Sequence, residues 1–184
     1  MSVVTLLDRS RAPLPAQEFY ADGDPGPIVA ALAHVPELLE VALPFLSAVL
    51  GPSAIPLRTK EIVILRTSVR LACRYCVDTH TVVARDAELT VDEVRALRDE
   101  LPVAPAFPDP AERALVAWVD AVALGPGTPP EDLVGALAAH ASEAEIVELT
   151  LLVGATLMLT RFATSLRLPT GPETLRRLGE EGWS

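Results

Sequence analysis

The sequence predicts an all-α fold, and three observations carry that expectation. Ala, Leu and Val dominate a chain in which half the residues are hydrophobic and only 4% are aromatic. Such a mixture fills helix–helix contacts and, Val excepted, has good helix propensity. Apolar residues recur at helical spacing through most of the chain beyond residue 26. Thr90 with Glu93 and Ser142 with Glu145 have the spacing of capping boxes, which open helices. At 184 residues the chain suits one domain with a sizeable core.

Residues 1–26 carry Pro13, Pro15, Gly23, Pro25 and Gly26 among polar residues and no sustained period. They read as an N-terminal arm laid over the domain or over a neighbouring subunit, the second being the expectation here. Residues 27–184 read as a single all-helical domain. From Pro27 the pattern predicts a short helix and then a longer one, interrupted at Pro36, with Pro52 and Pro56 closing the section. His34, just before Pro36, reads as a loop-capping or surface residue. Residues 57–71 are apolar on most sides and predict a central helix buried nearly all round. A further helix, or a continuation, runs from about Cys73 to Ala87, and Thr90 caps the next. The prolines at 102, 105, 108 and 110 mark a break. A helix over 111–124 holds Trp118, the turn at 125–130 follows, and an amphipathic helix runs to His140. The apolar run from Ile146 to Leu159 is interrupted by Glu148 and Thr150 and followed by Arg161, too short and too interrupted to cross a bilayer.

A weak internal repeat links two of these helices. Glu61-Ile-Val-Ile-Leu65 is matched by Glu145-Ile-Val-Glu-Leu149, and at that offset Cys73, Cys76 and His80 fall on Leu157, Thr160 and Thr164. The second copy keeps the helix and lacks the chemistry, so the packing does not require these three residues.

A net charge of −10 disfavours nucleic acid and anionic membranes as partners. The first residues, MSVVTLLDRSRAPLP, have no basic region followed by a long apolar core, so a cytoplasmic location is expected. In that compartment a CxxC is more often redox-active or metal-binding than a structural bridge.

Both cysteines and one of the three histidines lie between Glu61 and His80. If this stretch is helical, Cys73, Cys76 and His80, at i, i+3 and i+7, line one face. Thiolate formation needs a base, a positive charge or a helix N-terminus nearby. His80 lies one turn beyond Cys76, which is therefore the thiol it more easily deprotonates, and Cys73 is placed to close a disulfide. Glu61, inside an apolar helix, needs a partner, and His80 is the available cation. Other readings stand beside this one. The cysteines would serve as small core residues, Glu61 would cap its own helix, and Arg66, Arg70 and Arg74 form a solvated face rather than a positive ridge. Zinc is a further rival, although C-x2-C-x3-H supplies three ligands where a structural site takes four. No βαβ pattern precedes the CxxC, which argues against a thioredoxin-type fold.

The string Glu61-x11-Cys73-x2-Cys76-x3-His80, followed by a helix and the apolar helix opening EAEIVELT, resembles the carboxymuconolactone decarboxylase-like superfamily, in its alkyl hydroperoxidase D branch. The resemblance covers roughly residues 28–168. It implies helical hairpins assembling into dimers, trimers or hexamers. It also implies thiol peroxidase chemistry, with Glu61 and His80 relaying a proton, Cys76 attacking the peroxide and Cys73 resolving. An external dithiol, thioredoxin-like or a lipoyl protein, would be the reductant, and neither a cofactor nor a metal is required. The chain departs from alkyl hydroperoxidase D proper at Tyr75, where those proteins carry a second histidine. The decarboxylase proper lacks the CxxC. The rival class is a non-redox lyase or small-molecule binder on the same fold, with His80 and Glu61 as acid and base; a structural assembly protein is a third reading. A mean hydropathy of +0.34 with few aromatics adds to the expectation of a homo-oligomer.

Overall fold

The computed structural model describes residues 1–183, and among them it contains helices and no strand. After a 3₁₀ helix at Leu14–Tyr20 come α1 (Pro27–Leu32), α2 (Pro36–Leu50), α3 (Leu57–Arg70), α4 (Arg74–Asp86) and α5 (Val91–Leu97). They are followed by α6 (Val103–Ala106), α7 (Pro110–Leu124), α8 (Glu131–Ala138), α9 (Glu143–Ser165) and α10 (Pro172–Glu180). Proline at the first position opens α1, α2, α7 and α10, where its missing N–H would have no intrahelical partner anyway. Both capping boxes form, Thr90 with Glu93 and Ser142 with Glu145.

Helix α3 is the centre, packed against α4, α7 and α9, with every residue from Lys60 to Ser68 buried. Ile62, Val63, Ile64 and Leu65 meet Leu115, Val119, Leu152 and Val153 in the main core. Three charged residues of α3 lie inside this core, and each has partners. Lys60 Nζ donates to the carbonyls of Val49 (2.9 Å) and Gly51 (2.6 Å), satisfying the end of α2, and pairs with Glu148 at 3.0 Å. Glu61 meets His80. Arg66 is held by Asp120 and Asp99, both at 2.7 Å, and Arg70 joins the same two carboxylates. This corrects the solvated-face expectation for Arg66 and Arg70. The aspartates that turn these arginines inward lie 33 and 54 residues from Arg66 in the chain. Arg74 alone is solvated.

Helices α3 and α4 are separate. The chain leaves α3 through Ala72 at φ 51, with Cys73 N–H donating to the Ser68 carbonyl and Ala72 N–H to that of Val69. These two bonds make a Schellman motif, with alanine in the left-handed position usually given to glycine. The turn reverses the chain and lays α4 antiparallel on α3.

The arm differs from expectation. It has buried residues, Leu7, Ala12, Ala16 and Tyr20, which form a second small core with Ala33 and Leu39 of the same chain. Tyr20 donates its hydroxyl to the Leu7 carbonyl at 2.8 Å. The segment 3–7 is pinned at Val3 N–H to the Leu166 carbonyl and Leu7 N–H to that of Ala30, and His34 Nε2 lies 2.7 Å from the Thr5 carbonyl. The arm therefore lies over its own domain, and His34 is one of its fasteners. Two further differences concern the C-terminal half. Helix α9 has 23 residues, long and apolar enough by length and composition to span a bilayer, but its Leu149, Leu152, Val153 and Ala155 belong to the main core. Helix α10 carries no signal that was read in the sequence. It packs on α4 through buried Leu178 and a two-pronged Arg177–Asp86 pair, both contacts 2.8 Å.

Candidate active site: a buried cysteine pair beside a carboxylate–imidazole pair

The Schellman turn that ends α3 sets the site. Cys73 is the last residue of that turn and the N-cap of α4, so its sulfur faces the free N–H groups of a thirteen-residue helix and accepts from Cys76 N–H at 3.4 Å. The positive end of a helix stabilises a thiolate placed there. Cys76 sits in the first turn of α4, and the two sulfurs are joined in a disulfide, with Cα atoms 5.3 Å apart. The expected single face of Cys73, Cys76 and His80 is corrected accordingly. Cys76 and His80 share α4, one turn apart, while Cys73 stands at its mouth.

Glu61 is 2% exposed and its Oε2 lies 2.9 Å from His80 Nδ1 across the α3–α4 seam. A carboxylate only accepts, so in the neutral imidazole Nδ1 carries the proton and Nε2 keeps the lone pair. His80 is partly open to solvent, with a quarter of its side chain exposed. Glu61 is the fifth residue of α3, beyond the first turn, so it is not the cap of its own helix.

The sulfurs themselves are covered, Cys73 being 1% and Cys76 5% exposed. Their cover is a third apolar cluster: Val4 and Leu6 of the arm, Ile28 and Ala31 of α1, Phe162 and Ala163 of α9, and Leu168. Of these only Ile28 belonged to a pattern read in the sequence, the helical spacing that starts at Pro27. In the structure exposed Val3 and Thr5 alternate with partly buried Val4 and Leu6, a period that the string Val-Val-Thr-Leu-Leu does not announce. Tyr75 packs against the same cluster. Burial, despite a hydrogen bond with Thr79, and the nearby charge of Asp24 hold its hydroxyl above the ordinary tyrosine value.

The model of the carboxymuconolactone decarboxylase family matches residues 36–121, a span that contains Glu61, Cys73, Cys76 and His80. A search of curated proteins gives no match. Among solved structures, a protein of unknown function from Agrobacterium tumefaciens, provisionally described as the antioxidant defence protein AhpD, is 30% identical with a TM-score of 0.68. The alignment covers 77% of this chain and 95% of that one. A peroxidase-related protein from Ralstonia eutropha, described as having an alkylhydroperoxidase AhpD core, has a TM-score of 0.80 at 16% identity, over 94% of each chain. The debrominase Bmp8 has a TM-score of 0.78 at 20% identity, over 98% of each chain. At these two lower identities the likeness is one of fold. The CxxC-x3-H string, the buried glutamate that meets its histidine and the relative at 30% identity agree, and the chain belongs to the carboxymuconolactone decarboxylase family, in its alkyl hydroperoxidase D branch.

Proposed function

We propose that the protein is a thiol-dependent peroxidase that cycles between the Cys73–Cys76 disulfide and the dithiol. The observation that carries this reading is the Glu61–His80 pair at 2.9 Å, set one turn from a cysteine that is bonded to its neighbour at the mouth of the same helix. In the reduced protein His80 Nε2 takes the proton of Cys76 while Glu61 holds the ring and stabilises the imidazolium. The Cys76 thiolate attacks one peroxide oxygen, an S–O bond forms, the O–O bond breaks, and His80 returns the proton to the departing alkoxide. Cys73, stabilised as a thiolate at the start of α4, then attacks the Cys76 sulfenic acid. The S–S bond forms, the S–O bond breaks, and water leaves. An external dithiol reduces the disulfide by exchange.

Consumption of a hydroperoxide in the presence of a dithiol donor tests the reading. Turnover that disappears in Cys76→Ser supports it. Absence of turnover in the wild type, with the dithiol verified as reduced, refutes it and leaves the acid–base reading of His80 and Glu61.

We also propose that the chain is a homo-oligomer. Exposed Leu38, Val41 and Phe45 of α2 and Met158 of α9 border one apolar groove, a surface of the kind that marks interfaces. Light scattering at micromolar concentration decides this, and a mass of 19.6 kDa refutes it.

A further inference from the structure

The arm does more than cover the disulfide. With the start of α1 it encloses a cavity of about 470 Å³, within the range of small-molecule sites. Its walls include Leu6, Leu7, Tyr20, Pro27 and Ala30. The Tyr20 hydroxyl is already spent on the Leu7 carbonyl. At the rim stand three exposed charged residues, Asp8, Arg9 and Asp24, with a net charge of −1. Gly23 and Gly26, at φ 115 and 87, bend the chain around this opening.

Leu6 belongs to two places. It lines the cavity and also packs in the cluster that covers Cys73 and Cys76. One side chain therefore lies between the cavity and the layer over the sulfurs. Leu6 is held from the arm's backbone, whose nearest fasteners are Leu7 N–H to Ala30 and Thr5 to His34. Besides burial, the charge of Asp24 at the rim raises the pKa of the Tyr75 hydroxyl, and Tyr75 packs against the cluster that holds the two cysteines.

We propose that this cavity binds the apolar body of an uncharged organic substrate, whose reactive end reaches the Cys73–Cys76 pair when Leu6 gives way. The rim, with two carboxylates and one guanidinium, discriminates against anionic substrates through its net negative charge. Applied to the proposed peroxidase activity, on which the substrate assignment rests, the balance is R–OOH plus two thiols giving R–OH, water and the disulfide. Arg9 donates to the carbonyl of Tyr20 in the wall, and the net charge of −1 among the lining residues disfavours a carboxylate.

The test uses the full chain with its disulfide closed, so that no chemistry accompanies binding. Cumyl alcohol, the product counterpart of cumene hydroperoxide, is titrated by calorimetry against wild type, Ala30→Phe and Ala21→Trp. Ala30→Phe fills the cavity from within. Ala21 lines the same cavity but is exposed, so Ala21→Trp narrows the mouth without a core substitution. We expect saturable binding by the wild type, weakened more than about tenfold in both variants, a shift of ~1.4 kcal/mol. Phenylacetate should bind more weakly than the alcohol, and Asp8→Asn with Asp24→Asn should narrow the gap. Binding that Ala21→Trp leaves unchanged, or no saturable binding at all, overturns the inference. A separate arm isolates the peroxidase reading. If cumyl alcohol binds as described but the reduced protein leaves cumene hydroperoxide intact, the site stands and its assignment to a hydroperoxide falls. If the hydroperoxide is consumed equally by wild type and Ala21→Trp, the peroxidase stands and the cavity has no part in it.

Discussion

Helices α3 and α9 begin with nearly the same string and do opposite things with it. In α9, Glu145 is the third residue, closes a capping box with Ser142 at the surface, and the helix runs on for 23 residues. In α3, Glu61 is the fifth residue, past the first turn, where it points into the core and finds His80. The helix then stops after 14 residues. At the offset that superposes the two glutamates, Ala72 falls on Thr156, in mid-α9, whose hydroxyl bonds back to the Leu152 carbonyl at 2.8 Å. The lesson is that the chemistry sits where the helix is broken. Ending α3 at Ala72 supplies a fresh helix N-terminus for Cys73 and folds His80 back over Glu61. The uninterrupted α9 supplies only core.

The largest effect expected from this contrast is at Cys76. Cys76→Ser should reduce hydroperoxide consumption to background. Cys73→Ser should retain a reactive thiol that over-oxidises for want of a partner. Alkylation rate against pH and the mass after peroxide treatment check both. Because Cys73 faces the start of α4, a faster Cys73 would mean that the helix end outweighs the imidazole and would reverse the assignment.

The two glutamates come next. Glu61→Gln keeps the shape but not the charge that supports the imidazolium, and turnover should fall by ~10²-fold. Glu145→Gln should leave turnover unchanged, because Gln also closes the capping box with Ser142 at the surface. Equal effects on turnover would erase the distinction between the helices.

A third effect concerns the ions that hold α3 in the core. Asp120→Ala leaves the buried Arg66 with Asp99 and a carbonyl only, and should cost about 3 kcal/mol. A loss under ~1 kcal/mol would mean that water replaces Asp120 without penalty.

The smallest effects are opposite in sign. Ala72→Gly relieves a left-handed alanine and should stabilise by ~0.5–1 kcal/mol, whereas Thr156→Gly inside α9 should destabilise by at least as much. Thermal unfolding of both variants reads the difference.

Much of this was legible in the sequence because the signals are local. Both capping boxes, Pro36 at the start of α2, the buried centre of α3 and the Glu61–His80 pairing follow from residue type and spacing. What was not legible depends on distant partners or on missing punctuation. Ala72 takes a position where glycine would have announced a turn, so whether a new helix begins near Cys73 or the first one continues stayed open. Arg66 and Arg70 read as solvated because Asp99 and Asp120 come from later helices. The arm's buried residues, Leu7, Ala12, Ala16 and Tyr20, follow no single period, and their order appears only once α1 and α2 lie beneath them.

The most direct measurement of the central claim is a single turnover. The protein, reduced and freed of reductant, is mixed with one equivalent of hydroperoxide and followed by mass spectrometry. Stoichiometric loss of two hydrogens is expected, with Cys73–Cys76 closed and the corresponding alcohol released. Recovery of both the dithiol and the peroxide unchanged would contradict it.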